Sequence, residues 1–242
     1  MIYNILAINK NIYVKASLLN INTFHRFKSD QEFKLYLDKD TFAYYNTIKD
    51  KLLFPDKVST KIFESTDQEW QYYKVEIFKD YYQKDDYVIL DADSIWISVP
   101  EVSEEKITFL NLSNRFKDGN QKFFGSMMPI CQLDESINGE TGNYQMGFLA
   151  IPKKFHYDNI VEDWMSLTKL IKTAPFLHVG YQRQCEQLAI SIITQKKYPD
   201  DFTTLEGKYH YRHDIKYLVS LYFSCRQEGE LEGMLVREGW RN

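Results

Sequence analysis

The chain is poor in the residues that staple or punctuate small folds, with 3 Cys, 6 Pro and 10 Gly in 242 residues. Cys131, Cys185 and Cys225 are odd in number, far apart and form no Cys-x-x-Cys pair. That spacing argues against a disulfide framework, a zinc knuckle or a redox motif. Reduced thiols in a cytoplasmic protein are the expectation. No run of 18 apolar residues occurs, and the opening MIYNILAINK has no basic stretch ahead of an apolar one. Neither a transmembrane helix nor a secretory leader is expected. An excess of one charge is also lacking: 30 basic residues against 34 acidic leave a net charge of −4. The electrostatic footprint of sequence-independent nucleic-acid binding is therefore absent, and no nucleic-acid partner is implied.

What is plentiful is aromatic surface, 18 Tyr and 16 Phe, and a chain of this length buries enough of it to form one α/β domain over residues 1–242. Tyr3–Ile8, Phe33–Leu37, Val58–Phe63 and Tyr87–Leu90 read as strands. Between them, Tyr13–Phe27, Thr41–Leu53 and a helix capped by Asp67 and running to about Tyr82 carry apolar positions at helical spacing. This βαβα rhythm predicts a mainly parallel central sheet flanked by helices. Ile107–Leu112 and Gly147–Ile151 continue the strands, and Asn159–Leu170 and Tyr181–Gln195 the helices. The polar stretch Leu133–Tyr144, with Gly139 and Gly142, has the composition of a lid or binding loop. Lys216–Cys225 (KYLVSLYFSC) reads as a buried core segment rather than a membrane-resting one, since basic residues are sparse there.

The segment VILDADSIW carries the chemistry. Four apolar strand residues lead to Asp91 and Asp93, and on an extended strand end residues two apart face one side and can share a divalent cation. Hard oxygen donors suit Mn²⁺ or Mg²⁺ rather than zinc. Carboxylates placed against a core without a counter-charge are costly, which raises the weight of a metal site above that of a surface turn.

From this point the sequence resembles glycosyltransferases of family 8, retaining galactosyl- and glucosyltransferases that include glycogenin-like enzymes. The family's Asp-x-Asp block is met by LDADSIW. Its first strand, which cups the nucleotide base, is similar to Leu6-Ala7-Ile8-Asn9 with Tyr13 shortly after, though the family often has an acidic residue where Asn9 stands. A basic residue one helix upstream is matched by Lys74, 17 positions ahead of Asp91. Taken alone, Lys74 reads as a solvated helix-face residue. An Asn-x-Gly strand is similar to Gln145-Met146-Gly147, and an Asp-Gln helix start to Glu186-Gln187, which reads equally as the polar side of an amphipathic helix. The family's metal-binding His followed six positions later by a phosphate-binding Lys is met by His210 and Lys216. The usual glycine between them is His213, which competes with His210 as the ligand.

The resemblance implies a single GT-A domain, a Rossmann-like nucleotide-diphospho-sugar transferase fold. It further implies a UDP-sugar donor held by Ala7, Ile8, Asn9, Tyr13, Lys74, Asp91, Ala92, Asp93, Gln145 and Lys216. A metal on Asp91, Asp93 and His210 (or His213), Glu186 and Gln187 at the reacting carbon, a saccharide or glycoconjugate acceptor and retention of configuration complete the picture. Trp96, Trp164 and Tyr181 suit either a saccharide platform or the core, with the core favoured. Two other readings compete. A haloacid-dehalogenase-type phosphohydrolase also places Asp-x-Asp after an apolar strand, and could recruit Lys153 or Lys154 with Asp200 and Asp201, but normally on its first strand. A catalytically silent GT-A domain that binds nucleotide or saccharide is the non-enzymatic alternative.

Overall fold

The computed structural model describes residues 1–64, 69–96, 98–110, 112–115, 142–174, 182–205 and 210–211. The fold is mixed α/β, with a seven-stranded, mostly parallel sheet flanked by helices, as the alternating pattern predicts. The chain divides into two compact units. One draws on Asp67–Ile89 and Val102–Leu205, the other on Ile2–Thr66, Leu90–Glu101 and Glu206–Asn242.

In the second of these, β1 (Ile2–Leu6), β2 (Glu32–Leu37) and β3 (Val58–Ile62) run parallel in that order. The helices α1 (Asn11–His25) and α2 (Lys39–Ile48) supply the crossovers that parallel neighbours require. Helix α1 is buried along most of its length, including Ser17, Asn20, Asn22, Thr23 and His25, so its polar side chains must find partners inside. Asn22 donates to the Lys51 carbonyl at 2.7 Å and accepts from the Leu53 N–H at 2.9 Å. An α2 continued to Leu53, as the periodicity predicts, would have used that Leu53 N–H itself. Instead α2 ends at Ile48 and the chain passes through a 3₁₀ turn over Lys49–Lys51. Tyr3, Phe24, Phe33 and Trp96 pack edge to face at centroid separations of 5.2 to 5.9 Å.

The other unit contains α3 (Trp70–Tyr81), β4 (Tyr87–Leu90, whose last residue belongs to the neighbouring unit), β6 (Ile107–Phe109) and β9 (Phe148–Ile151). Helices α4 (Ile160–Thr173) and α5 (Cys185–Lys197) and strand β10 (Phe202–Thr204) complete it. Its strand order is β10-β6-β9-β4, with β10 parallel and β9 antiparallel to β6. Every residue of β4 and of β9 is buried, the signature of strands covered on both faces. Phe78, Tyr87 and Trp164 form a second aromatic cluster with separations of 5.1 to 6.5 Å. Trp96 and Trp164 are thus core residues, as favoured; Tyr181 lies outside the described residues. Asp67 also lies outside them, and the cap residue of α3 is Glu69, which makes no side-chain cap hydrogen bond.

Five short strands carry no periodicity that sequence could reveal: β10, the pair β7 (Leu112–Arg115) with β8 (Gly142–Tyr144), and the two-residue β5 (Ile95–Trp96) with β11 (His210–Tyr211). No helix among the described residues is long and apolar enough to cross a membrane.

Candidate functional site

Strand β4 delivers Asp91 at its carboxyl end, where α/β sheets hold their ligands. The chain does not stay extended there. Residues Asp91–Ser94 form a turn closed by the Ser94 N–H to the Asp91 carbonyl at 3.3 Å. Strand alternation therefore does not align the two carboxylates, contrary to the sequence expectation. In the turn, Asp91 and Asp93 are both half-buried, with buried Ala92 between them. Asp at the start of a tight exit is itself a turn former. Asn20 of α1 donates its amide to the Asp91 carbonyl at 2.8 Å.

A turn with two half-buried carboxylates fits a hard divalent cation, which takes one or two protein carboxylates and leaves its other positions to water and substrate phosphate. Among the described residues no group of three or more His, Cys, Asp or Glu could hold a metal ion. His210 is placed by its backbone, opposite Trp96 in the antiparallel β5–β11 pair. His213 and Lys216 lie outside the described residues.

The exit of β1 belongs to the same unit. Ala7 and Ile8 are buried, while Asn9 and Tyr13 are exposed, so those two side chains are the accessible ones of the expected base-cupping segment. Asn9 has φ 69°, a left-handed conformation that Asn tolerates better than most residues. Its N–H donates to Asp38 Oδ2 at 2.5 Å. Asp38, at the end of β2, also accepts from the Thr41 N–H at 2.8 Å while its own N–H donates to the Thr41 hydroxyl at 3.0 Å. That reciprocal pair caps α2. Burial alone would raise the Asp38 carboxyl; the hydrogen bonds from Asn9 and Thr41 prevail and hold it below its ordinary value. Sequence reasoning missed Asp38, although Asp-x-x-Thr before an apolar-periodic stretch is a readable helix start.

In the other unit, Lys74 on α3 and Glu186 in the first turn of α5 are 5% and 2% exposed. Lys74 Nζ lies 3.3 Å from Glu186 Oε1 and 5.2 Å from the centre of the Trp70 ring. The solvated-face reading of Lys74 and the amphipathic-face reading of Glu186-Gln187 are both overturned by this burial. The Glu186 carbonyl accepts from Trp164 Nε1 at 2.8 Å. Gln187 Oε1 accepts from the Met146 N–H at 3.2 Å, tying α5 to the Gln145-Met146-Gly147 segment. That segment is a turn leading into β9 rather than part of the strand, and Gln145 is half-buried. Helix α5 places Glu186 and Gln187 at its amino-terminal end, where the backbone dipole favours negative charge.

No family model matches the sequence, and no curated protein matches it. Solved structures do. The chain resembles the galactosyltransferase LgtC, crystallised in complex with donor and acceptor sugar analogs, with a TM-score of 0.59 at 10% identity, covering 96% of this chain and 100% of that one. It resembles the glycosyltransferase GlyE of Streptococcus pneumoniae TIGR4 with a TM-score of 0.51 at 13% identity, over 85% of this chain. The bifunctional glycosyltransferase WbbM gives a TM-score of 0.48 at 12% identity over 84% of this chain. The chain spans 45% of the length of GlyE and 38% of that of WbbM. Neither the phosphohydrolase nor the silent-domain reading is favoured by these likenesses, and the Asp-x-Asp follows the fourth strand rather than the first. The fold is one shared with glycosyltransferase structures.

Proposed function

We propose that this protein is a metal-dependent glycosyltransferase that moves a hexose from a nucleotide-diphosphate sugar, a UDP-sugar by resemblance, to a saccharide or glycoconjugate acceptor with retention of configuration. The observation that carries the proposal is the Asp91–Ser94 turn. It sets two half-buried carboxylates at the end of a fully buried strand, in a fold shared with glycosyltransferases.

A bound Mn²⁺ or Mg²⁺ supplies Lewis-acid neutralisation of the charge that grows on the departing diphosphate. In this reading Asp91 and Asp93 hold the cation with His210, His213 being the alternative, and Lys216 takes a phosphate oxygen. Asn9 and Tyr13 face the base beside Ala7 and Ile8. Ala92 lets the donor approach the turn closely. Lys74 and Gln145 steady the donor sugar. Glu186, ion-paired to Lys74, and Gln187 supply oxygen dipoles to an oxocarbenium-like centre. Their placement in the first turn of α5 keeps both groups fixed before the reaction begins, which is what electrostatic stabilisation of a transition state requires.

The test is release of nucleoside diphosphate from a panel of nucleotide sugars, with and without Mn²⁺, in the parent and in Asp93→Ala. Slow, metal-dependent hydrolysis of one donor that disappears in Asp93→Ala supports the proposal and names the sugar. Release of inorganic phosphate from simple phosphomonoesters, without donor hydrolysis, overturns it.

A further inference from the structure

We infer that Asn20 is a positioning residue for the carboxylate turn, an inference that rests on the metal-binding reading of Asp91 and Asp93. Asn20 is fully buried in α1, a costly place for a carboxamide unless both ends are used. Both are. Nδ2 donates to the Asp91 carbonyl at 2.8 Å, and Oδ1 accepts from Trp96 Nε1 at 2.9 Å. An indole N–H can only donate and a carbonyl can only accept. The chemistry thus fixes which way the amide points, and a carboxylate or an apolar group of similar size could not serve both ends.

Thr23 closes the arrangement one turn further along the helix. Its hydroxyl accepts from the Trp96 N–H at 3.2 Å and donates to the Asn20 carbonyl at 2.9 Å. Asn20 therefore ties together the residue that opens the turn and the strand residue that follows it. The Asp91 carbonyl is gripped from the helix by Asn20 and from inside the turn by the Ser94 N–H. Trp96 in turn pairs through its backbone with His210, so the same carboxamide steadies the strand register at which the proposed histidine joins. Outer-shell hydrogen bonds of this kind hold ligands at the spacing a metal needs, and their loss typically weakens metal binding about 10- to 100-fold.

The experiment measures Mn²⁺ binding in the presence of UDP, by the loss of the free-ion electron paramagnetic resonance signal, in the parent, Asn20→Ala, Trp96→Phe and Asp93→Ala, beside thermal melts of each. Asn20→Ala is expected to bind Mn²⁺ about tenfold more weakly while still melting cooperatively, and excess Mn²⁺ should restore its donor hydrolysis. A merely loosened core would lower the melting temperature without such recovery. Should Asn20→Ala fail to fold, Trp96→Phe keeps an aromatic ring, though a smaller one, and removes the N–H that orients the amide; it should weaken Mn²⁺ binding several-fold. Parent-like Mn²⁺ affinity in whichever variant folds, with Asp93→Ala impaired, overturns the role of Asn20 alone. Parent-like affinity in Asp93→Ala overturns the metal reading as well.

Discussion

Lys74 Nζ and Glu186 Oε1 meet at 3.3 Å between two helices, 112 residues apart in sequence and both out of solvent. Each charge was desolvated on folding, and their attraction offsets part of that cost. Glu186→Gln or Lys74→Met alone should cost about 3 to 5 kcal/mol, because each removes one partner of a buried ion pair. The double replacement Lys74→Met with Glu186→Leu should recover most of that loss. Urea unfolding of the two single variants and the double variant measures it. Additive losses would show that the pair is not coupled.

His156 uses both ring nitrogens. Nδ1 accepts from the Gln83 N–H at 3.1 Å and Nε2 donates to the Ile151 carbonyl at 3.3 Å. That pattern requires the neutral ring, and burial lowers its pKa further. His25 is likewise lowered, chiefly by burial. A depressed folded-state value means that the unfolded chain takes up the proton first. Stability is therefore full above about pH 6.5, the unfolded histidine value, and declines as pH falls through the depressed folded values. Melting temperatures between pH 8 and 5 should drop on the acid side, and His156→Gln should flatten part of the drop.

Cys185 opens helix α5, a position whose dipole normally favours the thiolate. Burial outweighs it, and with neighbouring Glu186 pushes the thiol up to about 12. Iodoacetamide at pH 8 should leave Cys185 unmodified in the native protein and label it in urea, as read by peptide mass mapping. Native labelling would show that the start of α5 opens readily.

What sequence made legible follows from the range of the forces involved. The four apolar residues of β4 and the carboxylates after them could be read because strand burial and turn chemistry are local. The boundary of α2 could not, since buried Asn22 draws off the Lys51 and Leu53 backbone groups from another helix. Lys74 and Glu186 each look like surface residues in their own helices, and only tertiary packing buries them together. Trp96 read as core in preference to a saccharide platform, but its indole N–H on Asn20 could not be foreseen.

Asp38 serves two neighbours, capping α2 through Thr41 and holding the positive-φ Asn9 through its N–H. Its carboxyl is held below its ordinary value by those bonds against the opposing effect of burial. The stability it contributes is present above about pH 4, the unfolded value, and is lost as pH falls through the folded one. Asp38→Ala should cost about 1 to 2 kcal/mol through the lost cap, and should also free the Asn9 loop. Asn9→Gly, by contrast, keeps the bond from the backbone N–H and suits φ 69°, so it should be neutral or mildly stabilising. If Asn9 and Tyr13 hold the nucleotide base, UDP binding should weaken in both variants, but for different reasons. Asp38→Ala loses the loop's shape and Asn9→Gly loses only a side chain. Calorimetric titration with UDP, compared with urea unfolding of the same proteins, separates the two: a base-contacting role requires Asn9→Gly to lose affinity at undiminished stability, and unchanged affinity there would remove Asn9 from the donor site.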